Sequence, residues 1–329
     1  MPDLVQFWIM QKLKRKIHQF IVRRRAKRLG PDWAHLAECH PSFSMERTPD
    51  GHRVFWNKKE VGIVRNMNSV KGAGKGPCFL VATGPSMKCV DLKKLCGCQT
   101  ISFNGAINLF LENGMTPDYV LIPDVRIFEN CFEFVEKSVL SRAVCFFSYD
   151  GLSRICERRP ELLRHGNIHL IESINCKYDQ PLSESGWPVS PAEVPGGLYM
   201  SEEYPDNRKR KGIMGFSCDA GRGFFFGRTV AYLGVQLAHW LGNNPLFILG
   251  MDLGGTGLAH CYANKANGLP DFLRYYEPEI RVPFEITRKA AEAENFSVYN
   301  LSEHSTLPSS VIPKITLEEA LALAKEVEK

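Results

Sequence analysis

The residues able to do chemistry fall at two glycine-marked corners and in the loops around them. The first corner is Thr83-Gly84-Pro85-Ser86, which ends the apolar run CFLVA. Glycine permits a tight turn and the close approach of a ligand, serine caps a following helix, and the first amides of such a helix attract a phosphate. The second corner is Asp252 with Gly254, behind the apolar run PLFIL. Asn104 and Asp124 stand where two more apolar runs end, and Asp219, Arg222 and Arg228 are grouped among glycines in GFSCDAGRGFFFGRT. These types suit a nucleotide that carries a sugar. Amide and hydroxyl groups meet the ribose, guanidinium groups receive a phosphate, and one base takes a proton. The base candidates are Asp219, His260, Asp124 and Glu285; a carboxylate serves in a water-poor cleft when its pKa is raised toward neutrality.

Each candidate also has a plainer reading. Asp124 and Asp252 fit turn positions, His260 an exposed loop, and Asn104 a helix cap; Arg222 and Arg228 suit pairing with acidic residues. The motifs that are absent narrow the chemistry further. There is no GxxxxGK[ST], which disfavours a P-loop ATPase or kinase, and no DxD pair to hold a divalent ion across a nucleoside diphosphate. A leaving nucleoside monophosphate has one phosphate, which hydroxyls, amides and arginines stabilise without metal. No CxxC pair occurs, and Cys96-x-Cys98 is too close for the usual zinc spacing, so neither a metal nor a cofactor is expected.

Strands alternating with helices must position these residues. CFLV, QTISFN, YVLIPD, AVCFFS, IHLIES, NPLFILGMD and VYNLS read as strands, with helical text between them and convincing helices at Thr229 to Leu241 and from Leu317. That order predicts an α/β fold: a Rossmann-like, mostly parallel sheet with helices on both faces, which binds ligands at the carboxyl ends of its strands. The main domain is expected over residues 76–329. A Pro/Gly/Ser-rich stretch at 173–212 without periodicity reads as a lid-like insertion, and HRVFWNKKEVGIVRN within 31–75 as a small hairpin of two short strands around Lys58-Lys59-Glu60.

The 329 residues carry a net charge of +5, but the first 30 hold nine Lys/Arg against one Asp, which leaves the remainder at −3. Leu13, Ile17, Phe20 and Ile21 recur there at helical spacing, with Phe7 and Trp8 before them and Arg23-Arg24-Arg25 after. That pattern predicts a basic amphipathic helix at a membrane surface; a charged helix packed on the body and a nucleic-acid arm are the alternatives. No apolar run is long enough to span a bilayer, and no signal-peptide pattern is present. The eleven cysteines, several inside apolar runs, read as buried thiols of a reducing compartment.

ATGPSM (82–87) with SFNGA (102–106) resembles the nucleotide-binding opening of bacterial sialyltransferases that use CMP-sugars and of related MptE-like domains. IPDVRIF (122–128), MGFSCDAGRGF to GRTVAYLGVQLA (214–238), LGMDLGGTG (249–257), VYNLS (298–302) and SSVIPKITLEE (309–319) resemble lipopolysaccharide-core Kdo transferases of the WaaZ type. The resemblance covers about residues 76–320 and implies a GT-A-like glycosyltransferase that moves Kdo from CMP-Kdo onto the inner core of lipopolysaccharide. It would act peripherally, at the cytoplasmic face of the bacterial inner membrane. It implies further that Thr83, Gly84, Pro85 and Ser86 line the donor phosphate and ribose, that Asn104 touches the nucleotide, and that Asp252 lies across the same cleft. The late histidine that sialyltransferases use as base has no counterpart in RVPFEIT, so the base stays open. A sialyltransferase-like enzyme, a pterin diphosphokinase-like enzyme and a non-catalytic nucleotide- or membrane-binding module are the alternatives. Arg228 would receive the leaving phosphate, and no nucleic-acid partner is expected.

Overall fold

Cys78–Val81 is buried along its whole length, and its residues alternate between two cores: Cys78 and Leu80 join one, Phe79 and Val81 the other. An uninterrupted apolar run does this in a sheet covered on both faces, because side chains alternate with a period of two. The computed structural model describes residues 2–186, 194–200, 214–253 and 276–327. Within them the strands are β1 (Phe43–Thr48), β2 (Gly51–Trp56), β3 (Lys59–Arg65), β4 (Cys78–Val81), β5 (Gln99–Phe103), β6 (Tyr119–Ile122), β7 (Val144–Ser148), β8 (Asn167–Ile171), β9 (Leu198–Met200), β10 (Gly215–Ser217), β11 (Leu246–Leu249) and β12 (Val298–Asn300). Ten of them form one sheet in the order β1-β2-β3-β8-β7-β6-β5-β4-β11-β12, while β9 and β10 make a separate antiparallel ribbon. Every neighbouring pair from β3 to β12 is parallel; β1, β2 and β3 form an antiparallel meander. The fold is α/β and Rossmann-like, as the alternation of elements predicts.

Helices cover both faces. Val230–Leu241 and Val282–Ala293 pack on one. The other carries Val125–Asn130, Phe132–Leu140 and Tyr149–Arg158 over β6 to β8, and Ala106–Glu112 with Leu317–Val327 over β4 and β11. Helix Val230–Leu241 starts where the Thr229 hydroxyl accepts the N–H of Ala231 and stops at Gly242, whose φ of 85° is the left-handed conformation of a helix C-terminus. A Cβ at Gly234 would stand 2.3 Å from Cζ of Phe103 and 3.2 Å from Cδ2 of Leu80, so the helix lies this close to the sheet because that position has no side chain.

The expected two-stranded hairpin has a third strand. Phe43–Thr48 adds β1, with Phe43 and Met45 buried and Ser44 and Glu46 exposed, and β3 then joins the main sheet where Arg65 pairs with His169. The turn between β2 and β3 is Asn57-Lys58, both at positive φ, as a two-residue hairpin loop demands, rather than Lys58-Lys59-Glu60. Of the stretch 173–212, the short turn Leu182–Glu184 and β9 are described; residues 187–193 and 201–213 lie outside the described residues. Pro2–Leu29 is one helix, followed by the 3₁₀ segment Pro31–Glu38. His18 ties the helix to the body through Glu38 at 3.0 Å and Glu129 at 3.7 Å.

Candidate functional site

The sheet reverses direction at β4. From β4 the chain moves outward through β5, β6, β7 and β8, then returns by helix Val230–Leu241 to place β11 on the other flank of β4. In open α/β sheets the crevice for a ligand opens at such a reversal, beyond the carboxyl ends of the strands. Leu249, Val81 and Ser102 lie level across β11, β4 and β5, so the stretches that follow them come together: Thr83-Gly84-Pro85-Ser86 after β4, Gly250-Met251-Asp252 after β11, and Asn104 after β5.

The first two stretches lock together. The N–H of Ala82 donates to Leu249 O and that of Gly84 to Gly250 O, both at 2.9 Å. A Cβ at Gly84 would meet Gly250 O at 2.3 Å and Asp252 Oδ2 at 2.6 Å, so only glycine fits. Asp252, 2% exposed, accepts the Ser86 N–H at 2.7 Å and the Ser86 hydroxyl at 2.6 Å. Gly250 has φ 72°, and a Cβ there would press on Met87 at 2.7 Å. The glycine that makes the second corner is therefore Gly250; Gly254 lies outside the described residues.

This geometry corrects the anion-site reading of the first corner. Ser86 does not cap an α-helix; Pro85–Cys89 is one short 3₁₀ segment without a side-chain cap. The amides of Gly84, Ser86 and Met87 are all used, by Gly250 O, Asp252 Oδ2 and Gly84 O. The corner therefore offers no row of free N–H groups for a phosphate.

Polar atoms without partners also lie at the carboxyl ends of β5 and β12. Ser102 Oγ and Asn104 Oδ1 on the β5 side, and Asn300 Nδ2 and Ser302 Oγ on the β12 side, are buried with no hydrogen-bond partner among the described residues. Burying an unsatisfied polar atom costs roughly 1–3 kcal/mol, so each marks a place for water or a ligand. Asn104 also sits at φ 46°, a left-handed conformation that asparagine tolerates better than most residues. Ser102, Asn300 and Ser302 were not singled out from the sequence, although the motifs SFNGA and VYNLS contain them.

The other sequence-predicted residues that are described do not form one cluster. Asp124 caps helix Val125–Asn130 by accepting the Arg126 N–H at 2.9 Å, and its carboxylate also holds the Arg126 guanidinium. Asp219 forms a turn, accepting the N–H of Gly221 at 3.0 Å, and lies 3.4 Å from Arg222. Arg228 faces Glu279 at 3.7 Å, and Glu285 pairs with Arg281 one helical turn away. Each carboxylate that the sequence offered as a base is thus paired with an arginine. His260 lies outside the described residues.

Sequence reasoning also missed an ionic cluster beyond β8. Glu172 is buried and accepts both Arg47 at 2.8 and 3.0 Å and the N–H of Tyr178 at 2.7 Å. Burial pushes the ammonium pKa of nearby Lys177 down, against the opposing pull of Glu172. Arg47 and Glu172 are 125 positions apart, and no local pattern links them.

No family model matches the chain. A curated protein of Salmonella typhimurium (strain LT2), named a probable 3-deoxy-manno-octulosonic acid transferase, is 22% identical over 252 residues, which cover 74% of this chain and 87% of that protein. The resemblance to Kdo transferases drawn from the motifs is borne out by this relative. Among solved structures, the MAf glycosyltransferase of Magnetospirillum magneticum AMB-1 is 14% identical with a TM-score of 0.40; the match covers 78% of this chain but 38% of that one. The sialyltransferase CstII of Campylobacter jejuni, solved with the substrate analogue CMP-3FNeuAc, is 12% identical with a TM-score of 0.39, over 77% of this chain and 100% of its own. At these TM-scores no residue of either protein is carried onto this chain.

Proposed function

We propose that this protein is a glycosyltransferase that takes Kdo from CMP-Kdo and transfers it to the inner core of lipopolysaccharide, without a metal ion at the donor. The observation that carries the reading is the interlocked pair of corners at the sheet's reversal point, flanked by the unpartnered Asn104 and Ser102. The unpartnered oxygens of Asn104 and Ser102 suit the hydroxyls of a ribose and the amino group of a cytosine, both donors. The Salmonella relative's name supplies the sugar.

In the transfer a hydroxyl of the acceptor loses its proton as it attacks the anomeric carbon, and the bond to the CMP oxygen breaks. Gly84, Ser86 and Asp252 hold the shape of the donor site, while Asn104 meets the nucleotide. Asp124, Asp219 and Glu285 are each engaged in an ion pair with an arginine that a base would have to give up, and the base we assign is His260. Arg228 and Arg222 are the cations we assign to the leaving phosphate, which would replace Glu279 and Asp219 as their partners.

The basic helix supports action at a membrane surface. Leu13, Ile17, Phe20 and Ile21 are each more than half exposed, a stripe of apolar side chains on a helix that His18 fastens to the body. The amphipathic pattern is confined to that stretch; over the whole helix apolar and basic residues do not segregate to opposite faces. Among the described residues no helix is long and apolar enough to cross a membrane. We place the enzyme on the cytoplasmic face of the bacterial inner membrane.

The test is a comparison of nucleotides by thermal shift in EDTA, followed by an assay for CMP release from CMP-Kdo with core-lipid acceptors. A ligand that binds only the folded state raises stability by mass action. CMP should stabilise more than UDP or ATP, and CMP release should depend on the acceptor and on His260. Equal response to all nucleotides, or a strict requirement for divalent metal, overturns the donor assignment.

A further inference from the structure

We propose that Cys218, His239 and Glu294 form a binding site for a zinc-class divalent ion that fastens the β9–β10 ribbon to the helical layer. The three residues come from separate elements: Cys218 follows β10, His239 is in the last turn of helix Val230–Leu241, and Glu294 ends helix Val282–Ala293. One ligand atom from each lies within 4.8 Å of the other two. Ligands around a tetrahedral zinc, at about 2.0–2.3 Å from the metal, are about 3.4–3.7 Å apart, so the site closes with movements of about 1 Å. Thiolate, imidazole and carboxylate together suit zinc or cobalt and disfavour magnesium and calcium, which take oxygen ligands.

A second observation comes from the histidine. Nδ1 of His239 is buried and has no hydrogen-bond partner, and the ring is held edge-on to Phe216 at 6.1 Å and Phe296 at 5.2 Å, which fixes its plane. Coordination through Nδ1 would supply that nitrogen with the partner it lacks. The carboxylate is oriented from outside by the Tyr199 hydroxyl, which donates to Glu294 Oε1 at 2.7 Å, the kind of outer contact that fixes a metal ligand. Metal binding deprotonates Cys218: the S–H bond breaks, the S–metal bond forms, and the proton goes to solvent. Glu294 is exposed, so an ion reaches the site from solvent, and three protein ligands leave a fourth position for water.

A second cluster of this kind among the described residues, His18 with Glu38 and Glu129, has its charges matched by Arg154 at 3.0 Å from Glu129 and carries no such orphan. The Cys218 site is also remote from the donor corner. His239 and Glu294 precede the amino ends of β11 and β12, and the corner lies beyond the carboxyl end of β11. The ion's role is therefore structural, and metal-free chemistry at the donor is unaffected by it. The ribbon it anchors is the base of the stretch that the sequence marked as a lid-like insertion.

The experiment uses the full chain, stripped with a chelator and dialysed against Zn²⁺ or Co²⁺. Wild type should retain one ion per chain, and the Co²⁺ form should show thiolate-to-cobalt charge-transfer absorption. Cys218→Ser should abolish that absorption, and Cys218→Ser and His239→Gln should each lose zinc by tenfold or more in affinity. Tyr199→Phe should weaken binding about tenfold, as loss of an outer contact does; Cys89→Ser and Cys96→Ser, at exposed thiols, should change nothing. Should the variants fold poorly, wild type still decides: zinc must protect Cys218 from alkylation, mapped by mass spectrometry. Retention of less than about a tenth of an ion per chain, zinc held equally by Cys218→Ser, or protection of other cysteines but not Cys218 would each overturn the site.

Discussion

Asp252 and Ser86 offer the sharpest test of the corner, because their interaction can be dissected by substitutions of graded severity. Asp252→Ala leaves the Ser86 N–H and hydroxyl without the carboxylate that accepts them at 2.7 and 2.6 Å. A hydrogen bond to a charged group contributes about 1.5–3 kcal/mol, so the expected loss is about 3–4 kcal/mol after water recovers part of it at this half-buried turn. Asp252→Asn keeps the shape: its carbonyl still accepts the amide, and its NH₂ donates to a serine hydroxyl that turns to receive it, so the cost is the charge assistance, about 1 kcal/mol. Ser86→Ala should cost about 1.5–2 kcal/mol, and the Asp252→Ala/Ser86→Ala pair should show a coupling of about 1–2 kcal/mol. Thermal unfolding reads these as about 2 °C per kcal/mol for a domain of this size. CMP affinity should fall in the same order, because the same turn shapes the donor site. Asn as damaging as Ala, or a coupling within about 0.3 kcal/mol of zero, would show that Asp252 does not hold this corner.

Further outcomes are expected. Asn104→Gly should leave stability nearly unchanged, since glycine accepts φ 46° without strain, yet weaken CMP binding by removing the unpartnered acceptor; undiminished CMP binding by isothermal calorimetry would remove Asn104 from the site. Gly84→Ala should unfold the corner or fail to bind CMP, because its Cβ would stand 2.3 Å from a carbonyl oxygen; a native-like thermal transition with normal CMP binding would contradict the geometry. His169 is buried neutral, and burial lowers its pKa to about 4. The unfolded chain therefore binds more protons than the folded one between about pH 6.5 and 4, and stability should fall by about 3 kcal/mol as the pH drops through that window, with no contribution above it. His169→Phe should flatten that slope in urea titrations; an unchanged slope would assign it to other groups. Deleting residues 1–30 should leave a CMP-binding body that no longer pellets with anionic vesicles, and salt should weaken pelleting of the full chain; equal pelleting by the truncated chain would mean the helix only packs on the body.

The order of strands and helices was legible in the sequence because runs such as CFLV and YVLI are buried on both faces and need no distant information to be strands. The corner after CFLV was legible too, since Gly84 and Ser86 end an apolar run, and the motif SFNGA pointed to Asn104. Which glycine makes the second corner was not: Gly250 lies inside the apolar text, and only its φ and its contact with Met87 reveal it. Local pattern also misjudged the segment after Ser86. Its serine donates to Asp252, 166 positions away, instead of capping a helix. The roles of Asp124, Asp219, Arg228 and Glu285 depended on which partner each side chain reached, and two of those partners, Arg126 and Arg222, are close neighbours that composition cannot distinguish from bystanders. The convergence of Cys218, His239 and Glu294 required three elements to be packed together. Periodicity and turn chemistry act over a few residues, so they determined the elements and their ends; hydrogen bonds and packing across the sheet joined residues far apart in the chain, and only those decided what the ends are for.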